Sequence, residues 1–222
     1  MYKRQDQAGY RLYVEYNAEG EIDPFTSLEN VWFTKFQDGN KEILFPYTKQ
    51  DAYQSYQFYT NKAVTKEYGG GNGLGVYQGL VDAFFMKNGL PITDDNAEYV
   101  EGGFSTEKEI RVTEWTGGTG QKGEVTAEGT YNMYCNREPR FYADITFSNS
   151  KWFSGTEGDY TVDFTYSGNC GKAQGNNDFT STGYLVRKNM DSGDRNQNLV
   201  CVLLRLTNIY FDYIEALAYV DP

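Results

Sequence analysis

An unusual group of charged side chains lies in CNREPRFYADI, residues 135–145, where Arg137, Glu138 and Arg140 surround Pro139 and run straight into Phe141 and Tyr142. Two guanidiniums beside a carboxylate admit two chemistries. One is anion recognition, because the planar fork of arginine meets a carboxylate or phosphate with two parallel bonds. The other is architectural, because the same fork ties several backbone carbonyls where regular ladders are scarce. Carboxylate catalysis is also open: Asp and Glu total 31, and two suitably spaced carboxyls can cleave a glycosidic bond. There is no histidine. That removes Ser–His and Cys–His nucleophiles, imidazole metal sites and histidine general bases.

Other reactive groups carry weaker signals. Cys135, Cys170 and Cys201 are far apart and odd in number. Without a CxxC spacing no zinc site is expected; they read as small buried residues, and one disulfide stays open. The glycines of YGGGNGLG, residues 68–75, miss the G-x-G-x-x-G phosphate-loop spacing because position 76 is valine. Asp94, Asp95 and Asn96 do not meet the calcium-loop pattern, so a solvated acidic turn is expected there. No cofactor is implied.

Composition narrows the partners. The chain has 222 residues, 20 of them tyrosine, and its net charge is -11. Such a field repels polyanions, so no nucleic-acid partner is expected. An aromatic content of 17% argues for a folded chain. Tyrosine joins a flat apolar face to a hydroxyl, which suits both a wet core and a sugar. The longest apolar run, LVCVLL at 199–204, is far short of a membrane span. The opening MYKRQDQAGY has no signal-peptide h-region and no lipobox.

These side chains need elements to hold them. The spacing of Leu28, Val31, Trp32 and Phe36 predicts a helix over 26–37, capped by Thr26 or Ser27. Residues 42–45 read as a strand stopped by Pro46. Val76, Leu80, Val81, Phe84 and Phe85 predict a helix ended by Asn88-Gly89 and barred from continuing by Pro91. Alternation predicts strands at 109–115, 141–147 and 159–168, the last two in a hairpin or meander. Leu203, Leu206, Tyr210, Tyr213 and Leu217 recur at helical spacing, predicting one amphipathic helix across the last segment.

Five of these stretches together resemble the SusD/RagB family, the glycan-binding outer-membrane lipoproteins of Bacteroidetes. They are NKEILFP (40–46), VDAFFMKNGLPI (81–92), NREPRFYADITFSNSKW (136–152), TGYLVRK (182–188) and LLRLTNIYFDYIEAL (203–217), in the family's order. The resemblance covers about residues 26–220. It implies a mainly α fold with a loop-rich α+β region, packed in full-length members on a tetratricopeptide-type helical scaffold. The chain would then be one partial C-terminal domain over 1–222, lacking the helical-repeat part, as a fragment or truncated member. The implied function is non-catalytic capture of oligosaccharides or other nutrients at the outer-membrane surface. The implied partner of the full-length protein is a SusC-like TonB-dependent transporter.

The resemblance also assigns roles. Arg137, Glu138, Pro139 and Arg140 belong to the scaffold, as do Gly89, Pro91, Arg205 and Glu215. Asp212 and Glu215 are expected as partners of the motif arginines. Ligand contacts are expected on loops, with Trp115 and Tyr131 foremost and Tyr56 and Tyr59 after them. Two other readings compete: a carboxylate-dependent glycoside hydrolase or lyase, and an interaction piece whose final apolar helix docks on a partner.

Overall fold

The computed structural model describes residues 8–47, 72–110, 124–152, 160–174, 179–188 and 201–220. Strands β1 (Glu15–Tyr16) and β2 (Ile22–Asp23) form an antiparallel pair that leads into helix α1 (Pro24–Asn30). The helix starts two residues before the expected one and is capped by Asp23, not by Thr26 or Ser27. The Asp23 carboxylate accepts from the Thr26 backbone N–H at 2.9 Å and from its hydroxyl at 2.6 Å. Pro24 at the first helical position has its φ already set. The helix also ends earlier than predicted. Buried Asn40 donates to the carbonyls of Val31 and Thr34 and draws the chain into a turn.

Strand β3 (Ile43–Tyr47) does not stop at Pro46 but runs through it. Its partner is β10 (Cys201–Arg205), and Val202 faces Pro46. Proline is tolerated because a two-stranded ladder leaves one side of each strand unpaired. Helix α2 (Gln78–Asp82) is shorter than its apolar pattern. Beyond it the chain opens to pair Met86 with Arg137, so tertiary contacts override the helical spacing. Strands β4 (Glu109–Ile110) and β5 (Glu124–Thr126) pair antiparallel.

The predicted strand over 141–147 is the largest correction. Residues Pro139–Asp144 form helix α3, and only Ile145–Thr146 are strand, β6. Alternation failed as a guide because Phe141, Tyr142 and Ala143 are all buried. Three consecutive buried residues leave no period that separates strand from helix. Strand β6 pairs with β9 (Leu185–Val186), and β7 (Lys151–Trp152) pairs with β8 (Tyr160–Thr161). The predicted strand over 159–168 is reduced to β8. After it the chain coils into a loop in which Cys170 N–H donates to the Asp163 carbonyl at 2.9 Å.

The last segment divides in two. Residues up to Arg205 form β10, and helix α4 (Leu206–Val220) follows. Leu203 therefore belongs to a strand rather than to the expected helix. The core gathers around α3: Phe25 of α1, Val81 and Phe84 from the α2 region, and Phe147 and Val162 beyond β6. Phe141 stacks on Phe147 with centroids 5.2 Å apart. Cys135 and Cys170 are buried, as their apolar reading predicts.

Candidate functional site

The NREPR motif is a clasp. Asn136 takes a left-handed φ of 55° and Glu138 is extended before Pro139, so the backbone folds Arg137 inward. Arg137 is wholly buried. Its guanidinium donates to the Met133 carbonyl at 3.0 Å and to the Val81 and Phe84 carbonyls at 2.7 Å each. Val81 lies in the last turn of α2 and Phe84 two residues beyond it, a helix end where a cation is favoured. The Arg137 N–H donates to the Tyr142 hydroxyl at 3.1 Å, which donates in turn to the Tyr134 carbonyl at 2.9 Å. The Phe141 ring lies 4.9 Å from the guanidinium carbon. Burial pulls the Arg137 pKa down, opposed chiefly by Tyr99.

Glu138 locks the other side of the clasp. Its N–H donates to the Phe85 carbonyl, and its carboxylate accepts from the Phe85 N–H, both at 3.0 Å. The same carboxylate holds Arg140 at 2.7 Å. Lys87 donates to Asn136 through its backbone N–H at 2.7 Å and its ammonium at 2.9 Å. Gly89, with a φ of +80°, turns the chain after this contact, and Pro91 follows it. Both residues shape that turn rather than ending a helix, since α2 has already stopped.

The expected partnership with Asp212 and Glu215 is not what the structure displays. Arg140 pairs with Glu138, and Arg205 with Glu42 at 3.3 Å. Asp212 and Glu215 are exposed on α4. Sequence reading missed Glu42, which is buried and acts as a hub. It accepts from Arg205, from the Tyr13 N–H at 2.8 Å and from the Thr207 hydroxyl. One charge surrounded by donors distant in sequence leaves no local signal. Arg187 of TGYLVRK is a second buried arginine, donating to the Lys151 carbonyl at 2.9 Å, with its pKa lowered to about 10 by burial.

Of the four expected ligand contacts, Trp115, Tyr56 and Tyr59 lie outside the described residues. Tyr131 is half-buried and belongs to an aromatic ledge. Residues 102–105 are stapled to 129–132: Ser105 N–H donates to the Thr130 carbonyl at 2.7 Å, and Asn132 N–H to the Gly103 carbonyl at 3.0 Å. This sets Phe104 beside Tyr131, their rings 5.5 Å apart and edge-to-face. Phe104 is 69% exposed. Behind them Tyr134 meets Tyr131 at 6.0 Å, and its hydroxyl is 3.1 Å from that of Tyr184. Tyr184 donates to Gln78 at 2.8 Å. Burial pushes the Tyr134 phenol far up, so it stays neutral. The ledge offers an apolar face with amide and hydroxyl groups around it, which suits stacking on a sugar ring. Phe104 was missed because a lone phenylalanine in an acidic loop has no periodicity to mark it.

Buried carboxylates among the described residues are engaged structurally. Glu124 lies between Lys108 at 3.2 Å and Lys151 at 3.3 Å, Asp23 caps α1, and Glu42 is the hub above. Asp94 accepts from the Asn96 N–H at 2.8 Å in a local turn. Among the described residues no group of three or more acidic or cysteine side chains is placed to hold a metal ion. No helix among them is long and apolar enough to cross a membrane.

Comparison with known proteins gives this arrangement its context. The SusD family model matches residues 29–222. The crystal structure of a SusD-like protein (BF3747) from Bacteroides fragilis NCTC 9343 superposes with a TM-score of 0.62 at 25% identity, covering 98% of this chain and 39% of its own. The selenomethionine form of BT4246 gives a TM-score of 0.64, and a second BT4246 structure 0.61, each at 18% identity. They cover 99% and 98% of this chain and 39% and 37% of their own, a likeness of fold alone. The chain thus spans roughly two fifths of the length of these solved proteins. No curated protein matches it. The clasp, the ledge and the short strand pairs therefore sit on a SusD-like fold, and the chain belongs to the SusD family.

Proposed function

We propose that this chain is the sugar-holding, non-catalytic part of a cell-surface nutrient-binding protein. Its place is the outer membrane, and its full-length form delivers oligosaccharide to a SusC-like TonB-dependent transporter. In that form residues 1–222 act as one C-terminal domain on a tetratricopeptide-type helical scaffold, anchored by lipid. Arg137, Glu138, Pro139, Gly89, Pro91 and Arg205 serve the frame. Contact with ligand falls to Tyr131 and Phe104, joined by Trp115, Tyr56 and Tyr59.

The observation that carries this reading is the exposed Phe104 set against Tyr131 on a SusD-like fold. A neutral glycan is indifferent to the net charge of -11, and an aromatic face binds it through its C–H surface. The buried carboxylates already have structural partners, which leaves them poorly suited to acid–base work. The test is a glycan array with the intact chain, followed by calorimetry on the best ligand. Tyr131→Ala and Phe104→Ala are each expected to weaken binding about fivefold to tenfold, the exposed Phe104 variant with an unchanged melting temperature. Release of reducing ends from the bound glycan would instead establish a hydrolase, and unchanged affinity in both variants would remove the ledge from the site.

A further inference from the structure

A cleft of about 370 Å³ opens beside the clasp, lined by residues other than those of the ledge. Its floor is apolar, made by Val76, Phe84 and Ile145, with the half-exposed Leu80 at its side. Three charged residues also line it: Arg140, Asp144 and Lys188. They differ in how far they reach solvent. The side chains of Arg140 and Lys188 are 46% and 41% exposed, whereas that of Asp144 is only 15% exposed. Glu138, which holds Arg140, is 20% exposed. The four charges sum to zero, yet the cations reach further into solvent than the carboxylates that hold them, on a chain whose net charge is -11.

Both cations are held in place yet keep donors to spare. Arg140 uses one Nη on Glu138 and lies 5.2 Å over the Phe84 ring. A guanidinium has five N–H donors, so several remain. Lys188 stands 3.7 Å from Asp144, longer than a tight ion pair, and 4.9 Å over the Trp32 ring. The cleft has the size of small-molecule sites, and its lining is theirs too: mostly apolar, with a few convergent polar groups.

We propose that this cleft binds a small amphiphilic carboxylate, its apolar body on the Val76–Phe84–Ile145 floor and its carboxylate between Arg140 and Lys188. A simple cation is excluded at the mouth by both basic groups. A neutral apolar molecule leaves their donors unused. A polyanion meets the repulsion of the whole chain. The site shares no lining residue with the ledge, so its ligand need not be a sugar.

Hexanoate is the probe, with hexan-1-ol as its uncharged counterpart, titrated into the full chain and followed by NMR or calorimetry. Hexanoate is expected to saturate in the millimolar range or below, and hexan-1-ol to bind about tenfold more weakly. Lys188→Gln should weaken hexanoate about tenfold while leaving hexan-1-ol unchanged. Leu80→Asp, at a half-exposed wall position, should abolish both, with unfolding curves checking that each variant is folded. Equal binding of acid and alcohol, unaffected by Lys188→Gln, overturns the proposal; so does the absence of saturable hexanoate binding. Glycan affinity at the ledge is measured in parallel, and the Lys188 variant should leave it intact.

Discussion

Arg137 is a buried cation whose guanidinium donates to three main-chain carbonyls. Removing it strands three acceptors in the core, so Arg137→Ala should cost at least about 3 kcal/mol in urea unfolding. Arg137→Lys should not restore stability, because a single ammonium cannot span carbonyls that a planar fork reaches together. Arg140 differs. It is half exposed and paired at the surface, so Arg140→Ala should cost less than about 1 kcal/mol. The sequence NREPR displays these two arginines as equals. Nothing in its spacing tells which one is inward, because that depends on Asn136 adopting a left-handed φ. Cys170 gives a third test at this scale. Burial pushes its thiol up to about 12, so the folded chain should resist alkylation there at mildly alkaline pH, while urea-unfolded chain reacts fully. Peptide mass spectrometry reads the difference.

Elements were legible where a sequence period survives. Helix α4 keeps its three-and-four apolar spacing although only Leu206 of it is buried, yet its start was misplaced. LVCVLL is apolar throughout, and an unbroken apolar run does not separate strand from helix. Helix α3 was misread for the related reason that three residues in a row, Phe141, Tyr142 and Ala143, are buried. The short helix α1 was placed two residues late because Asp23-Pro24, a cap followed by a first-turn proline, was passed over for Thr26. The ledge was half legible: Tyr131 stood out by type, whereas its neighbour Phe104 is brought in by backbone bonds between segments more than 20 residues apart. Residues 159–168 were read as strand, yet beyond β8 the loop over 162–174 is built around close backbone approach. A methyl group on Gly171 would sit 1.9 Å from the Thr165 carbonyl oxygen. Gly171→Ala should therefore displace the loop and lower the melting temperature, whereas Gly102→Ala, which meets open space, should not.

At the scale of the molecule, titration of buried phenols sets the alkaline limit. Burial, with the hydrogen bond to Glu15, pushes Tyr13 up to about 12 from an ordinary 10.0. Tyr99, Tyr134 and Tyr184 are also raised, each chiefly by burial. Between the unfolded and folded pKa values the native chain keeps protons that the unfolded chain has lost. Stability should therefore fall as pH rises from 10 towards 12. Tyr13→Phe should make that fall shallower, as read from urea midpoints across the range. Surface character sets a second property. Phe211, Ile214 and Leu217 are exposed on α4, so the isolated chain should self-associate. Replacing Ile214 and Leu217 with lysine should yield a monomer by sedimentation, with little change in melting temperature.

The clasp also bears on how such a chain tolerates change over generations. Arg137 grips oxygen atoms that every residue type carries, so it is blind to which side chains stand at positions 81, 84 and 133. The grip itself sets no condition on those side chains, which answer only to the packing of the core around them. A fastening of that kind lets an architecture outlast most of the letters that once encoded it.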